Sequence, residues 1–259
     1  MKQSILLSIS VMFSALLMGQ HSSQGFLLSG SVIYEQIDQL NIQLEGDAAQ
    51  MADLLPRERK SEKILHFTEE SSLYENHQTE DLEKTMDVHG GGEMMIKMAE
   101  PDNKMYIDLK AGLQIEQKEF MSRMFLIQSE RATGNWKLTG KQKVILDYPC
   151  QEAITRDEER EVVAWFTPSI AVPAGPGRYG NLPGLVLEVD IDEGAHILVA
   201  KSIELKELEK GLLKKPTKGK EVTEEEYQAI VEEKLKEMGV EHGGSAGGDH
   251  TVVVRIRAN

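Results

Sequence analysis

From residue 185 to residue 205, apolar and polar side chains alternate with a period of two, as in a sheet with one buried face. Leu185, Leu187, Val189 and Ile191 share one phase, Glu188 and Asp190 the other. After Asp192-Glu193-Gly194 the pattern resumes with Ile197, Val199, Ile203 and Leu205, so the two runs predict a β-hairpin. Met94, Ile96 and Met98 alternate likewise, as do Met105, Ile107 and Leu109 beyond Pro101-Asp102-Asn103. These predict a second hairpin. Further strands are expected at 32–37, 64–68, 113–117, 123–128, 136–138, 143–148, 150–155 and 162–167, with a last one at 251–257 carrying Val252, Val254 and Ile256. Such short strands, separated by Gly, Asn and Asp, predict a mainly β, β-rich α+β fold. The expected form is a single large curved antiparallel sheet, or an open barrel or sandwich. No strand–helix alternation is present, which sets a Rossmann-type layout aside.

One helix is well specified, over 223–238. Thr223 and Glu226 have capping-box spacing, each placed to satisfy a free amide of the first turn. Tyr227, Ile230, Val231, Leu235 and Met238 then fall on one face, and Gly239 is placed to end the helix. A basic stretch, Lys214-Lys215-Pro216-Thr217-Lys218-Gly219-Lys220, leads in, and a glycine-rich linker over 243–248 leads out to the last strand. A weaker helical pattern covers 48–55, before Pro56.

The N-terminus follows another rule. Lys2 is the only charge before an apolar run from Ile5 to Met18, broken only by small hydroxyls at Ser8, Ser10 and Ser14 and followed by Gly19. This is the pattern of a secretory signal peptide over 1–19, cleaved near Gly19, with a single domain over 20–259. A bilayer span needs about 20 apolar residues, and this run is shorter. No cysteine follows it for lipid attachment, and no later segment is apolar enough to span, so an integral membrane protein is not expected. A periplasmic or secreted address is.

The net charge is −14 at pH 7. That opposes nucleic acid, whose phosphates need a basic surface, and adhesion to anionic lipid. Cys150 is the only cysteine, so no intramolecular disulfide can form.

Two catalytic-looking motifs fail on context. Gly175, Gly177 and Gly180 spell GxGxxG, which cradles a dinucleotide only where a strand turns into a helix. Here the glycines are interleaved with Pro173, Pro176 and Pro183, and a strand follows. Gly243-Gly244-Ser245-Ala246-Gly247 spells GxSxG, but the helix comes before it and the strand after, the reverse of a nucleophile elbow. No cofactor is therefore expected. Metal candidates are thin. His89 and Met95 lie near Met94 and Met98, a thioether and imidazole set suited to Cu(I), but the alternation assigns Met94 and Met98 to the core. His242 and His250 meet only if the linker folds back. Cys150 has no base nearby in sequence and reads as a buried thiol. The acidic runs Asp157-Glu158-Glu159 and Glu224-Glu225-Glu226 read as solvated faces or helix starts.

The stretch from Trp136 to Asp190 carries a resemblance. It runs through Trp136-Lys137-Leu138, Lys143-Val144-Ile145, Tyr148-Pro149-Cys150-Gln151-Glu152-Ala153, Ala164-Trp165-Phe166-Thr167, Gly175-Pro176 and Asn181-Leu182-Pro183-Gly184-Leu185-Val186-Leu187. This order resembles the GLPGLI family of exported Gram-negative envelope proteins, named for its signature loop. Asn181, Val186 and Glu152 depart from the family pattern, which has glycine, isoleucine and lysine there. The resemblance implies an address and a fold, with no biochemical role attached. Three function classes follow. The first is a noncatalytic envelope binding or accessory protein whose curved sheet meets an envelope protein or a hydrophobic or peptide ligand. Periplasmic copper or zinc handling comes second, and a hydrolase last. The stiff signature loop reads first as a structural element, with Trp165 and Tyr179 packing on it. If it instead lines a cleft, Trp165, Arg178, Tyr179 and Asn181 are the candidate ligand-binding residues.

Overall fold

The computed structural model describes residues 28–40, 56–78, 82–88, 92–98, 100–131, 134–157 and 160–237. Along the chain the strands are β1 (Gly30–Gln39), β2 (Glu58–Phe67), β3 (Ser71–Gln78), β4 (Leu82–Val88), β5 (Gly92–Met98), β6 (Lys104–Asp108) and β7 (Leu113–Phe120). There follow β8 (Arg123–Glu130), β9 (Lys137–Ile145), β10 (Tyr148–Asp157), β11 (Arg160–Thr167), β12 (Leu185–Ile191), β13 (His196–Leu205) and β14 (Lys220–Val222), then the helix α1 (Glu224–Glu237). Twelve strands make one open sheet in the order β14-β8-β7-β6-β3-β2-β1-β13-β12-β11-β10-β9, while β4 and β5 pair with each other. The first strand therefore sits mid-sheet, between β2 and β13. The predicted mainly β fold is what forms, with one helix near the C-terminal end.

The hairpin over 185–205 is present, turning through Asp192 and Glu193 at positive φ and Gly194. Its second strand, however, turns the other phase inward: His196, Leu198 and Ala200 are buried, whereas Ile197 and Val199 are half-buried and Leu205 is exposed. The other predicted hairpin does not form. Met94–Met98 lies in β5, which pairs with β4, whereas β6 pairs with β3 and β7. Alternation marks a strand but names no partner, and the Pro101-Asp102-Asn103 turn separates two sheets. A second correction concerns 143–148. Leu146 and Asp147 both have positive φ (48° and 65°), the geometry of a two-residue type I′ turn, so Tyr148 opens β10 opposite Ile145. The sheet is also not wholly antiparallel, because β14 runs parallel to β8. The leader over 1–19, the helical pattern over 48–55, the linker over 243–248 and the strand over 251–257 lie outside the described residues.

The main core lies on one face, where β1 contributes Val32 and Tyr34, β2 Leu65 and Phe67, β6 Met105 and Ile107, and β12 Leu187 and Val189. Leu73, Tyr106, Ile115 and Leu126 form a smaller cluster in the opposite phase, with Leu213 packed on it. The segment after β13 thus crosses the outer face. β14 then extends the edge at β8, and α1 returns on the inner face, with Tyr227 edge-on to Phe125 at 5.4 Å between ring centroids. The helix starts as predicted: Thr223 N–H donates to Glu226 Oε2 (3.0 Å) and Glu226 N–H to Thr223 Oγ1 (3.2 Å).

Candidate functional site

Between β11 and β12 the chain makes a long loop that carries the signature glycines and prolines. It is a plug. Ile170, Val172, Ala174 and Leu182 are buried in the main core. Val186 N–H donates to Ala174 O and Leu185 N–H to Ile170 O, so the loop forms its own rungs against the strand it feeds. A Cβ at Gly175 would stand 1.9 Å from Tyr179 O and one at Gly184 2.2 Å from Thr167 O, so neither position accepts a side chain. Across the sheet, the Arg131 guanidinium donates to Pro173 O, and Trp136 Nε1 donates to Gly180 O at 2.9 Å. Arg178 lies 3.8 Å from Glu116 on β7. In a flat sheet β7 and β12 would be about 29 Å apart, six spacings of ~4.8 Å. One loop touches both, so the sheet curves around it.

Of the four residues singled out around this loop, Arg178 and Tyr179 both interact with Asp157, while Asn181 and Trp165 are placed apart from that pair. Burial works against the charge of Arg178, but Glu116, Asp157, Tyr179 and Glu224 outweigh it and hold the guanidinium pKa above its ordinary value. Tyr179 OH donates to Asp157 Oδ2 at 3.4 Å. Asn181 is exposed, takes φ 63° and donates its N–H to Pro173 O. Trp165 packs on the core and carries the Lys143 ammonium 4.3 Å from its ring centroid. Glu152 is buried and is met by Thr139 Oγ1 (2.8 Å) and Lys141 Nζ (3.0 Å). Cys150 is buried, and that burial raises its thiol pKa. His89, Met95, His242 and His250 lie outside what is described, apart from the backbone of Met95. Among the described residues no three His, Cys, Asp or Glu side chains converge as a metal site.

A different group of residues does converge. On β1 the inward phase runs Val32, Tyr34, Gln36, Asp38, and its partners on β2 run Leu65, Lys63, Ser61, Arg59. The inner face therefore changes from apolar to polar part-way along both strands. His196 on β13 stands opposite Asp38 and is hydrogen-bonded to it through Nδ1. Gln36 Nε2 donates to both Asp38 oxygens, at 3.0 and 3.3 Å. Arg59 Nε lies 3.6 Å from Asp38 Oδ2, and its terminal nitrogen 3.9 Å from Glu100 Oε1. Lys63 Nζ binds Glu100 Oε1 at 2.5 Å and Asn76 Oδ1 at 2.6 Å, and Asn76 in turn donates to Pro101 O. Two carboxylates and two permanent cations are thus interleaved. Among the described residues, three buried atoms of the same patch have no hydrogen-bond partner: Gln36 Oε1, Ser61 Oγ and Arg59 Nε, the last of which has only the long ion pair to Asp38. Buried polar atoms are nearly always paired, so three from neighbouring residues set this place apart.

The Asp38–His196 pair is how a carboxylate orients an imidazole for base catalysis, yet among the described residues no nucleophile joins it. Ser61 belongs to β2, two strands from His196, and its hydroxyl makes no hydrogen bond. Sequence reasoning passed over this cluster, although a signal was present. Gln36 and Asp38 continue the phase of Val32 and Tyr34, which makes them inward-facing polar residues.

Comparison with known proteins comes down to fold. A family model described as a protein of unknown function (Porph_ging) matches residues 154–188, from β10 through β11 and the plug into β12. That stretch matches a family of unknown function. No curated protein matches the chain. Among solved structures, two crystal forms of PNGF-II are similar, each with a TM-score of 0.51, at 15% and 16% identity. The match covers 78% of this chain in both, and 33% and 32% of the PNGF-II chains. The chain therefore spans about a third of the length of PNGF-II, and the likeness is one of fold.

Proposed function

We propose that this chain is an exported, noncatalytic binding or accessory protein of the cell envelope, which holds its ligand at the polar end of the curved sheet's inner face. The observation that carries the reading is the patch around Gln36, Arg59 and Ser61. A charge-balanced, largely buried polar cluster on an otherwise apolar face adds little to stability, since desolvation offsets most of its attraction. Unpartnered atoms inside it cost stability outright. Recognition of a ligand gives such atoms a use. The export half of the reading rests on the N-terminal apolar run and on the resemblance to the GLPGLI envelope family. PNGF-II contributes a fold and no activity.

Native mass spectra of the protein purified from its own envelope fraction test the binding half. A stoichiometric co-purified ligand or partner is expected, and a bare monomer in every preparation overturns it. N-terminal sequencing of the same material tests export: a mature terminus near Gln20 is expected, and an intact Met1 overturns it.

A further inference from the structure

The proposed binding role leaves the ligand's chemistry open, and the three atoms without a hydrogen bond constrain it. Gln36 is only 3% exposed. Its amide nitrogen is held by the Asp38 carboxylate, which can only accept, so Oε1 is the end turned away and it can only accept in its turn. Arg59 Nε can only donate. Ser61 Oγ does either, stands directly across from Gln36 on the neighbouring strand, and lies two residues from Arg59 on the same face. The patch thus presents an acceptor, a donor and an adaptable hydroxyl side by side. Its permanent charges, Asp38 and Glu100 against Arg59 and Lys63, already balance.

Resting on the binding role proposed above, we infer that this patch recognises an uncharged amide group, as offered by a peptide segment or a carboxamide side chain. An amide has one donor and one acceptor fixed in a plane, so it meets Gln36 Oε1 and Arg59 Nε together, with Ser61 Oγ completing either bond. A carboxylate has no donor for Gln36, and an ammonium has no acceptor for Arg59. Either would also upset the charge balance. A vicinal diol can reach the same atoms only by freezing two hydroxyl rotors that the amide does not have. The three atoms are themselves buried, but the side chain of Arg59 is 26% exposed, so a ligand reaches them by displacing that side chain.

The test is an NMR titration of the full mature chain with four probes of similar size: N-methylacetamide, acetate, methylammonium and ethylene glycol. Only N-methylacetamide is expected to give saturable shifts at Gln36, Arg59 and Ser61. Ser61→Ala is expected to weaken that binding at least five-fold. Arg59→Lys keeps the charge but loses the Nε donor, and it should weaken binding to a similar degree. Lys210→Ala, exposed in the segment after β13, should leave it unchanged. Each variant's spectrum reports directly whether its fold is retained. Equal response to all four probes overturns the assignment. So do a response to glycol alone, or amide binding untouched by both patch variants. No response to any probe means the patch holds water, and that overturns it too. A co-purified ligand of another chemistry would leave the broader binding role standing while this inference fell.

Discussion

Tyr34 joins the two halves of the core. Its hydroxyl donates to Val186 O at 2.6 Å, filling the gap where β12 parts from β13 before their pairing begins at Glu188. The ring is fully buried, and burial raises the phenol pKa well above its ordinary 10.0. Above pH 10 the unfolded chain loses this proton and the folded chain keeps it, so stability falls as pH rises. Urea midpoints measured from pH 9 to 11.5 should show a loss of about 1.4 kcal/mol per pH unit for each such proton. Cys150, raised by burial from 9.0, adds a loss of the same sign that starts lower. Tyr34→Phe should cost about 1–2 kcal/mol at neutral pH, because Val186 O loses its donor, and should remove the later part of the alkaline slope. Glycines of the plug differ sharply among themselves. Gly175→Ala meets Tyr179 O and should cost about 3 kcal/mol, whereas Gly177→Ala, with φ 56° and open space around it, should cost about 1 kcal/mol. Denaturant melts of the two variants separate these outcomes. The importance of the glycines and prolines in 173–184 was legible in sequence, since they punctuate a run with few charged side chains. Gln36, Arg59 and Ser61 escaped notice for a different reason. The run Arg59-Lys60-Ser61-Glu62-Lys63 reads as solvated on composition alone. Only the register with β1 reveals which of its side chains face inward.

Local signals sufficed for elements whose bonds are local. The capping box defines the start of α1 within a few residues of sequence, and Thr223→Ala is expected to lower stability by about 1 kcal/mol. Amide exchange should localise that loss to Glu224–Glu237 and leave β1 unchanged. Strand partners, by contrast, are set by contacts far apart in sequence. Nothing near Met94–Met98 announces that it pairs with Leu82–Val88 and that Lys104–Asp108 belongs to another sheet. The three-residue β14 carries too little pattern to predict, yet it turns β8 from an edge into an interior strand. At the other edge, β9 is blunted: residues 139–141, with Gly140 at φ 83°, stand against the single residue Glu152. Such a bulge, together with Lys137, Lys141 and Lys143, discourages edge-to-edge pairing. Replacing Gly140, Lys141 and Lys143 together with Thr should therefore promote concentration-dependent association, read by analytical ultracentrifugation.

For the molecule as a whole, the ordering of strands dominates. β1 pairs with β13 from Gly30 opposite Leu205 to Asp38 opposite His196, so central rungs of the sheet join residues 158 or more positions apart. Long-range antiparallel pairing of this kind is slow to nucleate, and stopped-flow refolding is expected to take on the order of seconds or longer. A chain delivered N-terminus first, from a ribosome or through a pore, meets the same topology as a schedule. The first strand can pair with β2 early on one side. Its other side stays open until the residues around Leu205 have emerged. While the residues between β1 and β13 are being made, the protein therefore carries an unfilled slot at what will become the middle of its sheet. Whatever holds that slot closed to other chains in the interval, a holdase or the confinement of the pore, is as much a requirement of this fold as any residue in its core.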